Sequence, residues 1–247
     1  MNALEITRFL NDLLDVNHIE DSSSNGLQVE NSGEIEKIGF AVDACLETFQ
    51  KAKEAGCNMI IVHHGLIWDG LKFIKGNTYQ QIKYLIENNI ALYAAHLPLD
   101  KHEKYGNNAG LAQIFNLKDI KPFGFYHGTM IGCYGQADLS LEQVKKIMKD
   151  NGLRTESLDF GPQQIKKVAI ISGGASSEVY QAAALGVDLY ITGEPLHFVY
   201  HFAKENNLNV IFGGHYETEV FGVKALMPLL REKFKTETLF INVPTTV

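Results

Sequence analysis

A chain of 247 residues with 45% hydrophobic and 21% charged residues is sized for one large globular domain or two small ones. Its formal net charge of -7 argues against a general binder of phosphate backbones, which needs a basic face. Cys45, Cys57 and Cys133 lie far apart with no CxxC pair, so a thiolate metal site is not expected and a reducing compartment is.

In chain order, "MNALEITRFLNDLL" carries apolar residues at helical spacing (Leu4, Phe9, Leu10, Leu13, Leu14) and lacks the basic start of a signal peptide. The helix is expected to end near Asp15. "DSSSNGLQVE", Asp21 to Glu30, reads as a polar, turn-rich segment. "KIGFAVDAC" reads as a strand, "LETFQKAKEAG" as a helix closed by Gly56, and "CNMIIVHH" as a strand buried on both faces. "TYQQIKYLIENN" is a helix, "IALYAAHLPLD" a third strand running into a turn, and "NNAGLAQIFNL" another helix. No apolar run approaches the ~20 residues of a membrane helix, and a cytoplasmic protein is expected. Alternating strands and helices make the class α/β.

From Lys166 the plan repeats. Ala41, Gly56 and His64 correspond to Ile171, Gly186 and Glu194, each displaced by the same number of positions. "NNLNVIFGGHYETE" then matches "NNIALYAAHLPLD", with His96 and Asp100 four apart and His215 and Glu219 four apart. Any two βαβ units share a periodicity, but polar groups recurring at matching strand ends point to an internal duplication. The expected division is one α/β lobe over residues 1–120 and a second over 121–247, intertwined in one compact unit. Between the halves, about 119 to 165, "HGTMIGCYGQADL" looks like an extra strand. "SLEQVKKIMKDNG" is a helix with Ser140 as N-cap, Gln143 as its capping-box partner and Gly152 as its stop.

Functional groups of open α/β sheets collect at the carboxyl ends of strands. Those ends carry His63 and His64, His96 with Asp100, Glu194, and His215 with Glu219. Imidazole and carboxylate without thiolate suit divalent zinc, iron or manganese. Adjacent strand residues point to opposite faces, but where the strand ends His63 and His64 can serve two ions. A carboxylate can bridge two cations, which makes Glu219 and Asp100 the candidates. A helix starting at His215 would put His215 and Glu219 on one face, whereas Pro98 between His96 and Asp100 favours a turn.

Plainer readings stand beside these. His96 is as readily a structural histidine as a ligand. Glu194 could be a helix N-terminal charge. His197 and His201, four apart, fit a solvated face, a substrate-facing pair or weaker ligands. His18, His102 and His127 read as surface or structural. "ISGGASSE" lacks the spacings of a phosphate loop.

Taken together, "SNGLQVE", "VDAC", "IIVHHGLIW", "AAHLPLD", "ISGGAS", "GVDLYITGE" and "GGHYETE" resemble the GTP cyclohydrolase 1 type 2 homologs, or NIF-three-like proteins, from about Asn25 to Glu219. The resemblance implies two similar α/β lobes facing each other across a dinuclear metal centre, and a toroidal homohexamer. It implies His63, His64, Asp100, His215 and Glu219 as metal ligands, with Glu219 bridging. The connection of about 47 residues between the halves matches the short form, without an inserted domain. Pro195 after Glu194 departs from many relatives and bears on the local helix start.

The function expected is a dinuclear metal-dependent hydrolase holding two divalent ions per chain. Its family reaction would be attack on C8 of GTP with ring opening and formate release, with His96 or Glu194 as general acid or base. A nucleotide or phosphoester hydrolase and a metal-binding regulatory or scaffold protein are the alternatives. The partners expected are further copies of the chain and a small molecule, with neither membrane nor nucleic acid.

Overall fold

The computed structural model describes residues 1–70 and 73–246. The chain opens with helix α1 (Ala3–Leu14), then strands β1 (Gly26–Val29) and β2 (Lys37–Asp43), helix α2 (Leu46–Glu54), β3 (Met59–His64), α3 (Gly76–Glu87) and β4 (Ala91–Ala94). Helices α4 (Leu97–Lys101) and α5 (Asn107–Ile114) precede the strands β5 (Lys118–Tyr126) and β6 (Thr129–Ser140). There follow α6 (Leu141–Asp150), β7 (Glu156–Asp159), β8 (Gln164–Ile170), α7 (Val179–Leu185), β9 (Leu189–Thr192), α8 (Val199–Glu205) and β10 (Asn209–Phe212). Helix α9 (His215–Phe234) and strand β11 (Glu237–Phe240) close the sequence of elements.

The fold is α/β with two mixed sheets, ordered β1-β4-β3-β2-β11 and β5-β6-β8-β9-β10-β7. Each sheet contains three successive parallel strands, β2-β3-β4 in one and β8-β9-β10 in the other, and β11 adds a fourth to the first. Ile38 lies opposite Met59 and Val168 opposite Leu189, so the second pairing repeats the first with both residues displaced by 130 in number. The duplication read from the sequence is therefore also a duplication of register. All residues of β4, β9 and β10 are buried, as unbroken apolar strands of parallel sheets must be.

Two compact units result. One is Met1–Leu99 with Gly222–Val243, the other Asp100–Phe221 with Pro244–Val247. The division expected at residue 120 falls at residue 99 instead, and the C-terminal segment returns to the first unit because β11 pairs in parallel with β2. The first unit's core gathers Phe49, Ile60, Val62, Leu85 and Leu92; the second's gathers Leu111, Val144, Met148, Ile170 and Ile191.

Several local expectations are met by capping. Asn2 and Glu5 form a reciprocal capping box at α1, and Asp15 ends that helix in the left-handed region. Ser140 and Gln143 form the same box at α6. Other segments differ. The turn-rich Asp21–Glu30 contains the short edge strand β1, antiparallel to β4. The single extra strand expected around 127–139 is one arm of a hairpin, with His127 and Gly128 both at positive φ between paired Tyr126 and Thr129. That is a two-residue turn of the kind that matches strand twist, and it gives His127 a structural role. The turn expected at Pro98 is the short helix α4, where proline sits in the first turn and its missing N–H costs nothing. Among the described residues, no helix is long and apolar enough to cross a membrane.

Candidate metal centre

In the first unit, strand β3 ends on His63 and His64. His63 is fully buried, and its Nδ1 lies 2.9 Å from the carbonyl oxygen of Ala95. A carbonyl can only accept, so Nδ1 carries the proton. Asp43, the register partner of His64 on β2, takes the His64 Nδ1 at 2.8 Å. His96 follows β4, and its Nδ1 lies 2.9 Å from Asp21 Oδ1 and 3.1 Å from Oδ2. All three imidazoles are thus anchored at Nδ1 by an oxygen acceptor, and the lone pair of each is on Nε2. This is the arrangement that orients metal-binding histidines and fixes their tautomer.

The rings converge. The ring centroids of His63 and His64 are 4.6 Å apart, those of His63 and His96 5.0 Å, and those of His64 and His96 5.6 Å. One donor atom from each of the three lies within 4.8 Å of the others, so this group could hold a metal ion. Trp68 stands beside it, its ring 5.0 Å from that of His96, with Nε1 donating to the Gly65 carbonyl.

The polar segment Asp21–Gln28 holds this cluster together. Asn25 Oδ1 accepts from the His96 backbone N–H at 2.7 Å, while its Nδ2 donates to Asp21. Asp21 also accepts from the Leu97 N–H. Burial pushes the Asp21 carboxyl up, but His96, Asn25 and the Ser23 N–H more than reverse this and hold it below its ordinary 3.8. Gln28 Oε1 accepts from Leu66 N and lies 3.3 Å from Ile67 N, fixing the loop that follows His64.

In the second unit, α9 starts at His215, and the i,i+4 spacing sets His215 Nε2 3.2 Å from Glu219 Oε1. His215 Nδ1 donates to Glu194, which follows β9. Glu219 is almost completely buried. The loop after β8 packs against these groups. Gly173, at φ +66, leaves room for the Glu219 carboxylate that a Cβ would run into. Its neighbour Ser172 donates through Oγ to Asp100 at 2.9 Å, and Asn107 donates to the same Asp100 oxygen at 2.8 Å. Burial opposes charge on His215, but the carboxylates of Glu219 and Glu194 outweigh it and push its pKa up to about 9. Imidazole with buried carboxylates suits a hard or borderline divalent ion.

The family model of Duf34/NIF3 (NGG1p interacting factor 3) matches residues 1–246. The chain belongs to this family. It is 44% identical over 247 residues to a GTP cyclohydrolase 1 type 2 homolog of Archaeoglobus fulgidus, covering 100% of both chains. It is 44% identical over 250 residues to the Pyrococcus abyssi protein of the same name, covering 99% of each. Among solved structures, TTHA1606 from Thermus thermophilus matches with a TM-score of 0.90 and 37% identity over 100% of both chains. Reduced HcgD from Methanocaldococcus jannaschii matches at 0.87 and 30%, covering 98% of each.

Within this NIF3 chain, the sequence-read residues fall into two sets: His63, His64 and His96 in the first unit, and Asp100, Glu194, His215 and Glu219 in the second. His96, read as acid or base, shares its group with the paired histidines, and Glu194 is engaged by His215. His197 and His201 instead line a hollow of about 470 Å³ with Leu196 and Tyr200. His102 accepts from the backbone N–H groups of Lys104 and Tyr105, a local structural role. Sequence reasoning missed the anchors Asp21, Asn25 and Asp43. The quoted motifs "SNGLQVE" and "VDAC" contained two of them without revealing their partners.

Proposed function

We propose that this NIF3 protein is a metal-dependent hydrolase in which His63, His64, Asp100, His215 and Glu219 hold two divalent cations, of iron, zinc or manganese. The observation that carries this reading is the anchoring of three imidazoles at Nδ1, which places each lone pair on Nε2, in His63 and His64 for a cation and in His96 for a proton. A bound cation pair supplies Lewis acidity to water and to substrate oxygens. Glu219, acidic and buried, would hold a cation through its carboxylate. Asp43 and Asp21 keep His64 and His96 in one tautomer. His96 holds or releases a proton at Nε2, and Glu194 orients His215.

The curated relatives' name makes GTP ring opening with formate release the first reaction to test. Hydrolysis of another nucleotide or phosphoester by the same residues is the variant reading. Protein reconstituted with Mn²⁺, Fe²⁺ or Zn²⁺ is expected to contain two ions per chain by elemental analysis and to release formate from GTP. His64→Ala is expected to lose metal and turnover together. Full metal occupancy without hydrolysis of GTP, other nucleotides or phosphoesters would sink the hydrolase. The metal-binding scaffold would then take its place, a reading favoured by the family's own description as an interacting factor. The same family resemblance supports a homohexamer, and light scattering with mass determination checks the assembly.

A further inference from the structure

A cleft of about 660 Å³ opens in the second unit, walled by α4, α5 and the β5–β6 hairpin. That is the size of a small-molecule site. Its lining includes Asp100, a metal ligand in the reading above, together with Lys101, Glu103 and Lys121. Lys101 Nζ donates to Thr129 Oγ1 at 2.8 Å, which sets its ammonium at the wall. Among the described residues, neither lysine is ion-paired to a carboxylate.

The hairpin presents an apolar platform to the same space. Gly124 sits at φ +75 with Ile171 where its Cβ would be. Phe123 on one side of it is buried in the core, 5% exposed, while Phe125 on the other is 57% exposed. Phe125 is opposite Met130 in the ladder, yet its backbone N–H and carbonyl both bond the side chain of Gln181. With its backbone engaged on the outer edge, Phe125 forms the non-hydrogen-bonded kind of pair with Met130, in which facing side chains are closest. Met130 is 43% exposed and joins Phe125 in the cleft lining.

We infer that this cleft binds a small molecule consisting of a flat ring and a phosphate, the ring resting on Phe125 and Met130 and the phosphate meeting Lys101 and Lys121. Two ammonium groups supply the countercharge for a phosphate, and an aromatic face with a thioether accepts any planar ring without choosing its edge. The end of the ligand nearest Asp100 is the end offered to the proposed metal chemistry, so the inference rests on that reading for its purpose but not for its binding.

The test is calorimetric titration of the full chain, metal-loaded and chelator-treated, with AMP, adenosine and inorganic phosphate. AMP is expected to bind at least about tenfold more tightly than adenosine or phosphate alone. Lys121→Ala should bring AMP down to the level of adenosine and leave adenosine unchanged. Phe125→Ala should weaken AMP and adenosine together by about tenfold, with recovery in Phe125→Tyr, and both side chains are exposed enough for the variants to fold. Metal content should be unchanged in all of them. Absence of saturable AMP binding, or binding indifferent to both variants, overturns the inference. A protein that holds no metal but still binds AMP through Lys121 and Phe125 overturns the metal reading and leaves the cleft standing.

Discussion

The proton on His215 sets when the second unit's donors can accept a cation. Its folded pKa of about 9 lies above the ordinary 6.5, through Glu219 and Glu194. In metal-free protein, the charged ring therefore contributes stability in full below about 6.5, and that contribution is lost as pH rises through about 9. A cation must displace this proton, so the linkage runs the other way for metal binding. Apparent metal affinity is expected to climb with pH by about one proton per site from neutrality to about 9 and then level off. Competition against a chromophoric chelator across that range measures it, and an affinity that is flat over the range contradicts the assignment. The histidines and carboxylates of the two sets were legible in the sequence because such groups at strand ends are chemically conspicuous. Their anchors were not. Asp21 reaches His96 across 75 positions through the loop before β1, and Asp43 reaches His64 across 21 through sheet register, and no local spacing encodes either.

The loop between β8 and α7 contains a glycine that packs directly against a buried carboxylate. "ISGGASSE" invites comparison with phosphate loops, yet its first glycine serves Glu219. At Gly173 a side chain would meet both a left-handed φ and the buried carboxylate. At Gly174 the nearest atoms to an added Cβ are 3.6 Å away, an ordinary contact. Gly173→Ala is expected to destabilise the fold by about 1 kcal/mol or more and to deplete metal, and Gly174→Ala to do neither. Thermal unfolding with elemental analysis compares them, and equal behaviour of the two variants refutes the cradle. Among elements, the parallel cores were legible because runs such as Met59–Val62 are apolar throughout and sit between helical repeats. The edge strands β1, β5, β7 and β11 were not. They are short, or exposed along much of their length, and β1, β7 and β11 owe their conformation to a neighbour found far away in sequence.

For the whole molecule, the decisive question is whether cations tie the two donor sets into one thermodynamic unit. Each unit has its own core, and the proposed ligands His63 and His64 belong to the first while Asp100, His215 and Glu219 belong to the second. A cation that binds only folded protein adds about 2.7 kcal/mol at a free concentration about 100 times Kd. For a chain of this size that is a rise of roughly 5–10 °C in Tm, removable with chelator. If one cation pair is shared, His64→Ala and Glu219→Gln should each abolish the whole chelator-sensitive shift, although the residues lie in different units. If each set holds a cation of its own, each variant should leave the other set's share intact. Scanning both variants with and without chelator separates the cases, and a residual shift of about half in each would replace the shared dinuclear centre with two independent sites.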